Sequence, residues 1–324
     1  MTALAAAALA WGGARDDHAT NFDLVAQWGE FGSRDGQFKY PCMIAVDASS
    51  GVYVVDQHNH RIQKFDAAGR FLLSWGSFGD GPGQFNYPFG IAVDASGAVY
   101  VSDMDNHRIQ KFSSQGEFLR MAGGYGTEGG RFKHPYGVAI DRAGIVYVID
   151  TLNYRVQKFD RDLKFLGAWG SEEQIGIKTY MPHEIAIGAG GNVVLSDRQN
   201  HRISIFTADG ELVNRFGEYG EGPDVMGGRF SEPHGVAAAP DGAIYVCDRY
   251  NYRIQRFSAA GGFQEAWSIE GPRDDAQQYL LGVATDALGH LYITDHYRHR
   301  VLKYIYRPFA SKATAAGAPG RIRK

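Results

Sequence analysis

Cysteine is almost absent from this chain: Cys42 and Cys247 are the only two in 324 residues. Two thiols cannot build the framework of bridges that holds small secreted domains together, so the fold must rest on packed side chains. No run of 18 or more apolar residues occurs, which excludes a membrane-spanning helix. Neither sign of charge dominates. The 33 Lys and Arg stand against 36 Asp and Glu, and a net charge of −3 gives no whole-molecule field that would draw the chain to nucleic acid or anionic lipid. Proline is ordinary at 11 residues and charged residues make up 21%, so the composition is neither collagen-like nor broadly disordered.

Glycine, by contrast, is abundant, with 42 residues, about twice the usual share. With it come 19 Phe and 18 Tyr, recurring beside Val and Ile, as in chains of many short strands separated by glycine turns. The N-terminal run Thr2–Trp11 is apolar like the core of a signal peptide, yet no Lys or Arg precedes it and no clear small-x-small site follows. The compartment stays open: the cytoplasm is favoured, and a secreted or periplasmic location follows if Met1–Ala14 acts as a signal.

Internal repetition organises the rest. One unit reads Pro-x-Gly-Ile-Ala-Val-Asp, a turn, Val-Tyr-Val-x-Asp-x-x-Asn-x-Arg-Ile-Gln-Lys-Phe, a second turn, then Phe-Leu and a glycine-rich loop. Its marker aspartates are Asp56, Asp103, Asp150, Asp197, Asp248 and Asp295, spaced by 47, 47, 47, 51 and 47 residues. Each unit offers four short strands, as in Gly90–Asp94, Ala98–Asp103, His107–Ser113 and Glu117–Met121. Such a unit cannot bury both faces of its sheet alone, so six of them predict an all-β, six-bladed propeller of four-stranded antiparallel blades.

The two ends of the chain support a ring. An apolar outer strand begins 15 residues after the marker at Phe71, Phe118, Phe165, Leu212 and Phe263, but the corresponding position after Asp295 is Ala310. The missing strand is found at the other end as Phe22–Trp28, and pairing it with His299–Tyr304 would complete the last blade and remove exposed sheet edges. Residues 1–21 then form a leader, 22–306 the propeller and 307–324 a basic, mobile tail, the whole being a monomeric ring.

The strings HNHRIQKF (58–65), DNHRIQKF (105–112), LNYRVQKF (152–159), QNHRISIF (199–206) and YNYRIQRF (250–257), each preceded by a PxGIAVD-like segment, resemble the NHL repeat family. That resemblance implies the propeller fold and little about function, since the family includes RNA binders, protein binders, sensor domains and a class of lyase. The repeated Asp-x-x-Asn-x-Arg offers six carboxylates, but a residue needed in every blade reads as blade building: Asp and Asn accept backbone N–H groups in turns and tolerate left-handed backbone. The repeat arginines, such as Arg61 and Arg108, read as packed between adjacent blades. Four of the tryptophans, Trp28, Trp75, Trp169 and Trp267, recur near the ends of outer strands and read as structural.

Function is therefore to be sought where the repeats differ. With strands lettered A to D from the inside of a blade outward, the B–C turns and the long D–A loops share one face, the candidate binding mouth. The innermost position, after the repeat proline, reads Cys42, Phe89, Tyr136, His183, His234 and Leu281, and the next reads Met43, Gly90, Gly137, Glu184, Gly235 and Gly282. His183, Glu184 and His234 are thus expected near the mouth with Tyr136, with Arg198 and Arg249 at the neighbouring B–C turns and His58 and His296 across the ring. The set suits either an anionic group held by arginines or a metal held by His183, His234 and a carboxylate; both histidines also fit as strand-start residues that satisfy backbone partners. Resemblance to the amidating lyases, in which Pro-His positions of three alternate blades hold zinc, extends to His183 and His234. Here the two lie on consecutive blades and no third histidine occupies the series.

The six D–A loops hold seven basic residues against thirteen acidic ones, so no nucleic acid is expected to bind. The leading expectation is a non-enzymatic propeller without a cofactor, binding a peptide, a protein or a small anionic ligand through His183, Glu184, Arg198, His234, Arg249 and Tyr136. The alternative is a lyase or hydrolase dependent on a divalent metal such as zinc at the same mouth, with Glu184 or Tyr136 as acid/base. Cys42 and Cys247 fall on non-neighbouring blades and read as packing thiols.

Overall fold

The second strand of every blade is buried along its whole length, as in Val52–Asp56 and Val99–Asp103, because it lies in the middle of a sheet covered on both faces by neighbouring blades. β-branched and aromatic residues fill it, and a buried tyrosine from each of five blades (Tyr53, Tyr100, Tyr147, Tyr245 and Tyr292) lies deep in the core. In four of these the phenol is held by a carboxylate of the A–B turn, as when Tyr53 Oη donates to Asp47 Oδ2 at 3.0 Å. The computed structural model describes residues 21–170, 182–222, 224–269 and 279–307. Of the expected leader and tail, only Asn21 and Arg307 fall among them.

The described strands form six four-stranded antiparallel sheets and one two-stranded parallel sheet, Glu218–Tyr219 with Arg229–Phe230, in the loop between blades 4 and 5. Blade 1 comprises Pro41–Val46, Val52–Asp56, Arg61–Phe65 and Phe71–Trp75, and blade 2 Pro88–Val93, Val99–Asp103, Arg108–Phe112 and Phe118–Gly123. The inner strands of blades 3 to 6 are Pro135–Ile140, Pro182–Ile187, Pro233–Ala238 and Leu280–Thr285, and each packs on the inner strands before and after it around the ring. Burial follows that geometry: six apolar clusters fill the six spaces between successive blades.

Ring closure is as the ends predict. Phe22–Trp28 is the outer strand of blade 6, antiparallel to Arg300–Tyr306 with Phe22 opposite Tyr306 and Trp28 opposite Val301. Phe22 also stacks on Trp267 of blade 5, ring centroids 3.5 Å apart, so the first described strand ties two blades at once. Tryptophans at the other seams are structural too. Gly116, at φ +79, lies flat beneath Trp75 of the preceding blade; a Cβ there would stand 2.7 Å from the indole, so the turn needs glycine for both its conformation and its closeness.

The marker aspartate is a buried hub. Asp103 Oδ1 accepts the Asn86 backbone N–H at 2.7 Å, while Oδ2 accepts from Asn106 Nδ2, Arg108 Nε and Gln110 Nε2 at 2.9, 2.7 and 3.2 Å. Three expectations are corrected here. Asn106 donates rather than accepts, also reaching the Gly79 carbonyl at 2.8 Å, whereas in blade 5 Asn251 Oδ1 accepts the Gly222 backbone N–H at 3.1 Å, as expected. The left-handed residue is the one that follows the asparagine, His60, His107, Tyr154, His201, Tyr252 or His299, at φ between 47 and 55°. The arginine does more than pack: Arg108 donates to carbonyls of Gly81 and Gln84, pinning the loop that enters its own blade. Both cysteines are buried free thiols.

Candidate functional site

The B–C turns and D–A loops do lie on one face, because turn amides donate to loop carbonyls: His58 N to Lys39 O, Leu152 N to Lys133 O, Tyr250 N to Ser231 O and His296 N to Tyr279 O, all within 3.1–3.2 Å. At the centre of this face the innermost side chains meet. Phe89 of blade 2 reaches across to His234 of blade 5 (centroids 5.8 Å), Tyr136 lies 4.7 Å from His183, and the rings of His183 and His234 are 4.5 Å apart. Both histidines are 3% exposed, packed among the aromatic side chains that meet there.

Two arginines from successive B–C turns converge there. Arg198 Nη1 meets His183 Nε2 at 3.3 Å, and since a guanidinium only donates, Nε2 accepts and the ring proton resides on Nδ1. Arg198 also holds Glu232 Oε2 through Nε at 2.7 Å and Nη2 at 2.6 Å, and Arg249 Nη1 reaches the same oxygen at 2.9 Å. Arg249 lies over Tyr279, 4.1 Å from its centroid, and 4.8 Å from that of Tyr250. Burial, then the nearby arginines, keep His183 well below the usual imidazole range; burial, then His183 and both arginines, do the same to His234. With neutral imidazoles, two guanidiniums and one carboxylate, the local charge is about +1.

The expected site residues divide accordingly. His183, His234, Tyr136, Arg198 and Arg249 come together. Glu184 does not join them by any described contact: it is buried, Oε2 has no hydrogen-bond partner, and burial pushes its carboxyl up to about 8. Its backbone N–H donates to Ser196 Oγ at 3.0 Å. The histidines do not satisfy backbone partners through Nδ1, since in both rings that atom is buried without a hydrogen bond, as is Arg249 Nε. His296 does serve the backbone, its Nδ1 lying 3.1 Å from the Pro41 carbonyl, and His58 and His296 flank Tyr40 with centroids 4.6 and 5.2 Å away. Glu232 and Tyr279 were missed, although a signal existed: the residue before the repeat proline is Tyr40, Tyr87 and His134 in blades 1 to 3 but Glu232 in blade 5.

A zinc-like centre is poorly matched by these residues. Among the described residues no three His, Cys, Asp or Glu side chains gather as ligands. The one donor atom of His183 that accepts a hydrogen bond faces a guanidinium, whose charge opposes a cation there.

Comparison with known proteins agrees with the architecture. The NHL repeat family matches residues 85–112, 179–206, 230–257 and 278–304, which belong to blades 2, 4, 5 and 6. "Protein brain tumor" of Drosophila melanogaster is 51% identical over 45 residues, and "B-box type zinc finger protein ncl-1" of Caenorhabditis elegans 49% over 45. Each alignment covers 14% of this chain, and the chain spans only 4% and 5% of those relatives' lengths. Among solved structures, a streptogramin B lyase superposes with TM-score 0.58 at 16% identity, covering 88% of this chain and 97% of the lyase. A gluconolactonase of Xanthomonas campestris gives 0.61 at 15%, covering 84% and 88%. A protein of unknown function from Bacteroides thetaiotaomicron gives 0.65 at 18%, covering 87% and 75%. At such identities the likeness is one of fold alone. The chain thus carries four NHL repeats within a ring of six four-stranded β-propeller blades.

Proposed function

We propose that this propeller is a non-enzymatic binding module that takes a peptide, protein or small anionic ligand on the face carrying the D–A loops and B–C turns. The observation that carries the reading is the convergence of Arg198 and Arg249 on one point of that face beside two neutral imidazoles, which leaves positive charge and unmatched donors where the six blades meet. The surrounding loops carry more acidic than basic residues, so a localised anion fits better than a polyanion. Exchange of both arginines for glutamate should abolish retention of a recovered partner. Arg70→Glu, in an exposed C–D turn on the opposite face, should leave it intact. Equal behaviour of the two variants would refute the choice of face.

The competing expectation, a metal-dependent lyase or hydrolase at the same mouth, is decided by metal analysis of untagged protein. A stoichiometric transition metal that disappears in a His183→Ala/His234→Ala variant would replace the binding reading.

A further inference from the structure

Glu232 is singular among its equivalents. It occupies the position just before the repeat proline, where blades 1, 2, 3 and 6 carry Tyr40, Tyr87, His134 and Tyr279. Its backbone is left-handed, at φ 51°, as it is in Tyr40, Tyr87 and His134, and its N–H donates to His201 Nδ1 at 3.1 Å. The main chain is thereby fixed while the side chain leans over the mouth, about a quarter exposed. Three guanidinium donors, Arg198 Nε, Arg198 Nη2 and Arg249 Nη1, all converge on its single oxygen Oε2.

The arrangement is unequal in the way a stand-in would be. Arg198 is fully engaged, with Nε and Nη2 on Glu232 and Nη1 on His183. Arg249 uses only part of its fork: Nη1 donates to Glu232, whereas Nε is buried and bonded to nothing. A carboxylate facing the fork would take two parallel N–H···O bonds, the strongest geometry a guanidinium offers, where Glu232 places a single oxygen on Nη1. The guanidinium is already desolvated and held on the faces of Tyr279 and Tyr250, so little side-chain freedom remains to be lost on binding. Tyr250 is 40% exposed beside it and can receive an apolar or aromatic group attached to the incoming acid.

Building on the binding reading above, we propose that the mouth recognises a carboxylate and that Glu232 is its built-in competitor, occupying the arginine pair until a ligand carboxylate displaces it onto the Arg249 fork. The preferred ligand bears an aromatic or apolar group next to the acid, as an acidic residue in a peptide does. Displacement releases a glutamate that is already about a quarter exposed to solvent, so the internal contact sets a threshold on affinity without blocking the site.

The test compares wild type, Glu232→Gln and Arg249→Gln by calorimetric titration with two probes: sodium succinate, and an acetylated, amidated Tyr-Glu-Tyr peptide with its Tyr-Gln-Tyr counterpart as control. Circular dichroism monitors folding of each variant. Glu232→Gln should bind a carboxylate probe at least about tenfold more tightly than wild type, the factor expected for removing a competing contact worth about 1.4 kcal/mol. Arg249→Gln should lose that binding, and the Gln peptide should not bind at all. Succinate binding as tightly as the peptide would assign a free small acid, and tighter peptide binding a polypeptide acid, both supporting the carboxylate site. Equal affinity of wild type and Glu232→Gln, with loss in Arg249→Gln, would overturn the competitor while leaving the binding face standing. Failure of Glu232→Gln to bind either probe would overturn the carboxylate assignment, and the binding face would still be judged by the paired arginine reversals.

Discussion

His299 Nδ1 accepts the backbone N–H of Tyr40 at 3.1 Å, joining the last blade to the loop that enters the first. The same clasp recurs from His60 to Tyr87, His107 to His134 and His201 to Glu232, at 3.4, 3.2 and 3.1 Å. In these four blades the left-handed residue after the repeat asparagine carries the imidazole that reaches the next blade, whereas Tyr154 and Tyr252 hold the same backbone without it.

An imidazole that accepts through Nδ1 loses the bond when protonated there. Burial, the leading cause in each, holds His60, His107 and His299 below their ordinary 6.5, and His296 is lowered to about 4. A lowered folded-state value means that stability is complete above the unfolded value near 6.5 and is lost as the pH falls below it. These histidines should therefore contribute a fall in melting temperature between pH 7 and pH 5, against the contribution of Glu184. A His60→Asn/His107→Asn/His299→Asn variant, whose side chains tolerate left-handed backbone, should show a shallower drop. An unchanged slope would mean the clasps do not couple to stability.

Glu184 predicts the opposite slope. Its carboxyl is raised by burial from 4.5 to about 8, so the folded state favours the protonated acid and loses stability as the pH rises from 4.5 towards 8. Glu184→Gln should be more stable than wild type at pH 8, by on the order of a few kcal/mol, with the gain vanishing near pH 4.5. Urea titrations at pH 5 and pH 8 measure it; a pH-independent difference would show that desolvation is not the cause.

At the hub, Asp103→Ala should cost roughly 3–5 kcal/mol, because it leaves the buried Arg108 guanidinium and the Asn86 N–H without their acceptor. Asp105→Ala removes only a part-exposed contact to His134 at 3.4 Å and should cost under about 1 kcal/mol. Chemical denaturation of the pair decides it, and similar losses would refute the hub.

At the closure, Phe22→Ala should cost about 3–5 kcal/mol by opening a cavity against Trp267 and Tyr306. Near-ultraviolet circular dichroism of Trp267 should weaken with it. A variant as stable as wild type would show that the N-terminal strand is not part of the cooperative unit.

The sequence by itself determined the number of blades, the strand order within each and the origin of the closing strand. These follow from a spacing of 47 residues, two-residue alternation and turn chemistry, all of which act over short separations. It also marked His183, His234, Arg198 and Arg249 as departures from the repeat on one face. Only the tertiary structure decided that Phe89 crosses to His234, that Glu232 bridges the two arginines and that Glu184 is buried with Oε2 unpaired. Those outcomes depend on rotamers and on how far each side chain reaches between blades that are remote in sequence. The period of the repeat says which face a residue occupies, but the charges and rings it meets there are set by the packing of its neighbours.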